Sequence, residues 1–238
     1  MSQIHLSPEA TEDFPYHQLP NINFFQYPPM KPVAPDVDAS LEENLALYHP
    51  MKEDPIFTIF VSIPYCRVRC HSCSYFKELL PPRVDRHAFL NNYLDCLDVQ
   101  IQKYAATLRF SSGRCGAVYL GGGTASLLAP DQVGHLINTL RESFTMEPNV
   151  EITLEGNPHE FAHPEYLQEV RQSGITRVSL GYQSSQDTIL KKAINSPHNA
   201  NESRKAVENA IAAGFNTVNI DLLYRLPGQT IEHWRYDL

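Results

Sequence analysis

The chain has 238 residues, 42% of them hydrophobic and 19% charged, which suits one large globular domain or two small ones and excludes wholesale disorder. Its formal net charge of −8 speaks against a strongly basic nucleic-acid binder, and no apolar run reaches the ~18 residues that span a bilayer. The acidic, polar start MSQIHLSPEATEDF is neither a secretory signal nor an Arg-rich transit peptide, so a cytoplasmic chain with no nucleic-acid partner is expected.

Residues 1–55 hold nine of the 18 prolines and no sustained period, which predicts a Pro-rich arm, with one short helix around Ser40–Tyr48. After Pro55 strands and helices alternate. Ile56–Ile63 (IFTIFVSI) reads as a strand buried on both faces. Asp85 caps a helix running to about Leu108, with Phe89, Leu90, Tyr93, Leu94, Leu97, Ile101 and Tyr104 on its apolar face. Ala117–Leu120 is a second strand leading into Gly121, Gly122 and Gly123, and a helix starts at Pro130 or Asp131. Val150–Leu154 is a third strand, followed by a helix from about Pro164 that stops at Gly174. Arg177–Leu180 is a fourth strand. Helical stretches at Ser185–Ile194 and Glu202–Ala213 follow, then a fifth strand at Thr217–Leu223. Pro227 and Gly228 break the chain, and Ile231–Leu238 begins one more helix. Strands recurring every ~30 residues predict a parallel sheet of βα units, open or barrel-like, with its chemistry at the C-terminal strand ends.

The five cysteines are an odd number without a signal peptide, which disfavours a disulfide framework. Cys96, on the face of Leu94, Leu97 and Ile101, and Cys115, before the second strand, read as structural thiols. The other three form CRVRCHSC (Cys66, Cys70, Cys73), a C-x3-C-x2-C loop after the first strand. Structural zinc wants four ligands, usually in two close pairs; here only His71, cramped between Cys70 and Cys73, offers a fourth. Three thiolates on a [4Fe–4S] cube leave one iron open to an amine and a carboxylate, which S-adenosylmethionine (SAM) supplies. GGGTAS (Gly121–Ser126) lacks the Lys of a Walker loop and fits a cradle for the methionine end of SAM, a phosphate loop or a tight turn. Glu155 reads as a site carboxylate or a solvated strand end, and Gln183 as a site residue or a turn. Asp221, inside the apolar NIDLLY, should be buried and partnered, since an unpaired buried carboxylate is costly.

IFVSIPY before CRVRCHSC, then VYLGGGTAS, ITLEGNP, RVSLGYQSSQDTILKKAI and NTVNIDLLYRLPGQT, occur in an order that resembles the HemN-like branch of the radical SAM superfamily. That branch includes oxygen-independent coproporphyrinogen III dehydrogenases, HemW-type haem chaperones, anaerobic haem-degrading enzymes and a class of radical methyltransferases. The resemblance covers about residues 56–231, and FFQYPP in the arm adds to it. It implies an α/β fold, a partial (β/α)6 barrel with about five strands over 56–238, preceded by the arm at 1–55. It implies a [4Fe–4S] cluster on Cys66, Cys70 and Cys73. SAM would be held by Gly122, Gly123, Thr124, Glu155, Gln183 and Asp221, with Phe60 and Ser72 beside it and no catalytic residue beyond these cofactor contacts. The implied reaction is reductive SAM cleavage to a 5′-deoxyadenosyl radical, then hydrogen abstraction from a porphyrinogen or other tetrapyrrole. It needs an external low-potential electron donor. A haem chaperone and a radical C-methyltransferase are the alternatives.

This chain departs from the branch at several points. Phe60 replaces a Tyr, Ser72 an aromatic residue, and Tyr75 the fourth Cys of the coproporphyrinogen enzymes. Asn195 replaces an Arg, whose charge Arg225 is expected to supply in part. The branch's sixth strand and C-terminal domain are absent, so the chain is expected to be a fragment of a longer product.

Overall fold

The computed structural model describes residues 56–73 and 78–238; the expected arm, its short helix and Tyr75 lie outside them. The five stretches rich in β-branched and aromatic residues form strands β1 (Ile56–Ile63), β4 (Arg114–Gly122), β5 (Met146–Gly156), β6 (Arg177–Gln183) and β7 (Thr217–Leu222). All run parallel in the order β1-β4-β5-β6-β7. Two-residue strands β2 (Tyr65–Cys66) and β3 (Glu78–Leu79) pair with each other. The main sheet is open among the described residues, with β1 and β7 at its edges. β4 and β5 begin several residues earlier than expected. Pairing of Cys115 with Met146 and a 2.8 Å bond from Cys115 N–H to the Thr145 carbonyl extend them through a stretch with little strand propensity.

Helices cover one face of this sheet. They are α1 (Arg86–Ala105), α2 (Leu108–Ser111), α3 (Pro130–Ser143), α4 (Pro158–Phe161), α5 (Pro164–Gln172), α6 (Asp187–Ile189), α7 (Ala200–Ala212) and α8 (Ile231–Asp237). Asp85 caps α1 by accepting from His87 N and Ala88 N, which satisfies two of its unpaired N-terminal donors. Asn199 and Glu202 cap α7 reciprocally. Successive helices α1, α3, α5 and α7 pack side by side. Leu90, Leu94, Val133, Leu136, Leu167 and Val170 meet Val118, Leu120, Ile152, Leu154, Val178 and Leu180 in one core. The expected helix over Ser185–Ile194 is split: α6 runs into a π turn at Leu190–Ile194, which Asn195 ends in the left-handed conformation at φ 58°.

Three expectations are corrected here. β1 is not buried on both faces: Phe57, Val61 and Ile63 are buried, while Thr58, Phe60 and Ser62 alternate with them and are exposed. The helix layer covers only one side of the sheet. Cys96 is exposed, because its side chain points well away from the stripe of Leu90, Leu94 and Leu97; Cys115 is buried as expected, and burial raises its thiol pKa. Asp221 is exposed on edge strand β7 rather than buried.

Candidate functional site

Parallel pairing places Phe60 opposite Tyr119, Ser62 opposite Gly121, Glu155 opposite Ser179 and Ser179 opposite Asn219. With the two-residue alternation of strands, the face turned away from the helices carries Phe60, Tyr119, Glu155, Ser179, Asn219 and Asp221. Phe60, 60% exposed, stacks on Tyr119 at 5.7 Å between ring centroids.

The cysteine loop leaves β1 at its C-terminal end. Its two ends are tied by the β2–β3 pair, with Glu78 N–H on the Pro64 carbonyl and Leu80 N–H on that of Cys66. Its middle is held by His71 N–H on the Ile194 carbonyl at 2.8 Å and by Asn195 Nδ2 on the Arg69 carbonyl at 3.0 Å. Cys70 packs against Ile189, Leu190 and Ile194, and the Thr124 hydroxyl lies 3.5 Å from Cys66 Sγ. Cys66 is buried, Cys70 and Cys73 half-buried, and Ser72 and His71 exposed. Among the described residues no three His, Cys, Asp or Glu side chains converge into a metal-binding group, so the loop brings the three cysteines to one strand end without drawing their thiols together. The donor set still fits an iron–sulfur cluster. CRVRCHSC offers three thiols and no competing carboxylate.

The glycines have a structural demand of their own. Gly122 has φ 105°, and a Cβ there would lie 2.6 Å from Ser62 Oγ; a Cβ on Gly123 would lie 2.6 Å from the Tyr65 carbonyl oxygen. These two residues let the β1–β2 connection lie directly on the end of β4. Gly121 opens onto the exposed face, where its absent Cβ leaves room for Glu155 Oε2. Gly122 N–H and the Tyr119 hydroxyl pull the Glu155 pKa down, yet burial and then the Asp221 charge raise it. Two carboxylates on a polar, partly open face suit an ammonium group or sugar hydroxyls, the groups that SAM presents.

Gln183 ends β6 with φ 67°, its carbonyl accepting from Leu223 N–H at 2.9 Å. Asp221 Oδ1 accepts from Asn219 Nδ2 at 3.0 Å. Arg225 is exposed, with φ 59°. Asn195 thus serves as the left-handed stop of the π turn and as a tether for the cysteine loop.

Some residues that shape the site carried no clear sequence signal. Tyr119 lies in β4 with nothing in its neighbours to single it out. Asp237 of α8 accepts from Ser185 N at 2.7 Å, Ser185 Oγ at 2.5 Å and Ser184 Oγ at 3.0 Å, so it fixes the backbone just after Gln183. Glu160, in the apolar-looking PHEF of α4, holds Arg67 Nε at 2.7 Å. His198 is buried, 3.3 Å from the Tyr182 carbonyl and 3.1 Å from Asn157 Oδ1.

The sequence profile of the radical SAM superfamily matches residues 60–238, and the chain belongs to that superfamily. Within it, the chain is 34% identical over 181 residues to the heme chaperone HemW of Mycobacterium tuberculosis, covering 76% of this chain and 45% of the relative. It is 31% identical over 180 residues to the anaerobilin synthase of Escherichia coli O157:H7, covering 76% and 39%. The solved structure of coproporphyrinogen III oxidase HemN from Escherichia coli superposes with a TM-score of 0.70 at 28% identity, covering 82% of this chain and 42% of that one. The chain spans less than half the length of each. The five parallel strands are thus part of a HemN-like radical SAM barrel, as the sequence motifs imply. Members of the superfamily use a [4Fe–4S] cluster and SAM. No helix among the described residues is long and apolar enough to cross a membrane.

Proposed function

We propose that this chain carries the cofactor-binding core of a HemN-like radical SAM enzyme acting on a porphyrinogen or another tetrapyrrole. The carrying observation is that one strand end presents the three-cysteine loop beside the glycine turn and Glu155, in a chain whose relatives are named for haem and porphyrin chemistry. When bound, the cofactor pair supplies one-electron cleavage of the sulfonium C–S bond and hydrogen abstraction from a substrate. Cys66, Cys70 and Cys73 hold three irons. Gly122, Gly123 and Thr124 would shape the backbone beside the methionine end of SAM, Glu155 and Asp221 would take its ammonium or ribose hydroxyls, and Gln183 would close the site from β6. Phe60 supplies an apolar wall and Ser72 lines the loop. The electron comes from an external low-potential donor.

A heme chaperone is the second reading, favoured by the 34% identity to HemW. One experiment separates them. The chain is reconstituted anaerobically with iron and sulfide, then given dithionite and SAM. Formation of 5′-deoxyadenosine, lost with the cluster absorption in Cys66→Ala, Cys70→Ala and Cys73→Ala, supports the enzyme. Stable haem binding with no 5′-deoxyadenosine supports the chaperone.

A further inference from the structure

We infer that the Arg67–Glu160 ion pair, extended through Ser126, is a positioning device that sets the SAM-facing end of β5 against the cysteine loop. The inference rests on the reading that this loop holds the cluster and that Glu155 lines the SAM site.

The path is short and runs from the exposed Arg67 side chain into the buried Glu160 and Ser126. Arg67, next to Cys66, donates from Nε to Glu160 Oε1 at 2.7 Å, and the Glu160 side chain is 7% exposed. The other carboxylate oxygen, Oε2, accepts from the Ser126 hydroxyl at 3.3 Å. Ser126 Oγ in turn accepts from Asn157 N–H at 3.0 Å, two residues beyond Glu155. Three segments thus meet at Glu160 and Ser126: the cysteine loop, the end of GGGTAS, and the turn after β5.

There is no slack at the β5 end. A Cβ on Gly156 would lie 2.6 Å from Ser126 Cβ and 2.5 Å from Phe161 Cζ, so Ser126 cannot move without moving β5. A second link runs beside the first, since Thr124, two residues before Ser126, holds Cys66 Sγ. With Arg67 36% exposed and Glu160 buried, the pair is a poor source of stability, because water screens the cation while the carboxylate is desolvated. What the pair adds over an apolar pair is direction: the single Nε–H of Arg67 on Oε1 and the Ser126 hydroxyl on Oε2 set the register between loop and strand. Ser126 thereby gains a role outside any direct cofactor contact.

The test uses the full 238-residue chain, reconstituted anaerobically. Removing one charge alone strands the other, so the informative variants are the apolar double substitution Arg67→Met with Glu160→Met, and Ser126→Ala. Both are expected to keep the wild-type unfolding midpoint within a few degrees and to bind iron. The SAM dissociation constant should rise roughly tenfold in the double variant, the low end for residues that orient a metal site's ligands. It should rise less in Ser126→Ala. The change that SAM induces in the electron paramagnetic resonance spectrum of the reduced cluster should weaken in the same order. Wild-type SAM affinity and wild-type spectra in both variants overturn the inference; if the double variant does not fold, Ser126→Ala decides alone. A wild-type chain that takes up no iron overturns the cluster reading and this inference with it, an outcome distinct from a wild-type chain that binds SAM normally and variants that match it.

Discussion

Glu155 sits where two opposing influences meet. Burial and the negative charge of Asp221 raise its pKa; the N–H of Gly122 and the hydroxyl of Tyr119 hold it down. Replacing Asp221 with Asn removes one upward influence, so Glu155 should titrate at lower pH in Asp221→Asn than in the parent chain. Carbon-13 NMR of the side-chain carboxyls reads this directly, and an unmoved Glu155 titration means that solvent screens the pair. Residues of this kind were only half legible. The sequence pointed to Glu155 by its strand-end position and to Asp221 as a carboxylate inside an apolar strand. It gave the wrong reason for Asp221, because apolar neighbours suggest burial whereas exposure depends on β7 being an edge strand, which is a property of the sheet. Tyr119 was missed outright: nothing local to VYLGGG says that its hydroxyl influences Glu155 on the next strand.

At the scale of elements, periodicity gave most of the fold. The cap at Asp85, the stripe of Leu90, Leu94, Leu97 and Ile101, and the stop at Gly174 all lie where local chemistry predicts them. What failed was long-range or conformational. The π turn at Leu190–Ile194 has the composition of an ordinary helix, and only its packing under Cys70 and its exit through Asn195 distinguish it. The glycine turn was recognised but only part of its demand was foreseen, since the approach of Pro64 and Tyr65 is a contact between segments some 60 residues apart in the chain. That contact makes a sharp prediction. In Gly123→Ala the new methyl meets backbone, which cannot swing aside, so the end of β4 must part from the β1–β2 connection. A loss of about 1–3 kcal/mol is expected, typical of overpacking at a tight site. Urea denaturation at pH 7 measures it; a midpoint equal to that of the parent chain means the connection shifts freely and the close approach is not required. Gly134→Ala is the control, since its nearest neighbour is the Ser173 hydroxyl at 3.3 Å, the end of a side chain that can rotate.

Across the molecule as a whole, His198 ties together pieces that the strands hold only separately. Its Nε2 faces the Tyr182 carbonyl at the end of β6, its Nδ1 meets Ser196 Oγ at 2.8 Å, and Asn157 Oδ1 after β5 lies 3.1 Å away. Desolvation lowers its pKa to about 4, against smaller upward pulls from the Tyr182 carbonyl and the Glu202 carboxylate and a further lowering by His159. The imidazole is therefore neutral in the folded chain at pH 7, with a single ring N–H to share among the Tyr182 carbonyl, Ser196 Oγ and Asn157 Oδ1. In the unfolded chain it takes up a proton near pH 6.5. Between about pH 6.5 and pH 4 the unfolded state binds one more proton here than the folded state, so this residue's contribution is fully present above pH 6.5 and is lost as pH falls toward 4. The two endpoints imply a loss on the order of 3 kcal/mol from this one group, a large share of the stability of a single domain. Denaturant titrations at pH 7.5, 6, 5 and 4.5 should show the parent chain weakening steadily. His198→Gln keeps a donor and an acceptor but cannot titrate, so its stability should fall less over the same range even if it starts lower at pH 7.5. Parallel curves for the two chains locate the acid sensitivity elsewhere and remove His198 as the group that makes the strand-end loops pH-dependent.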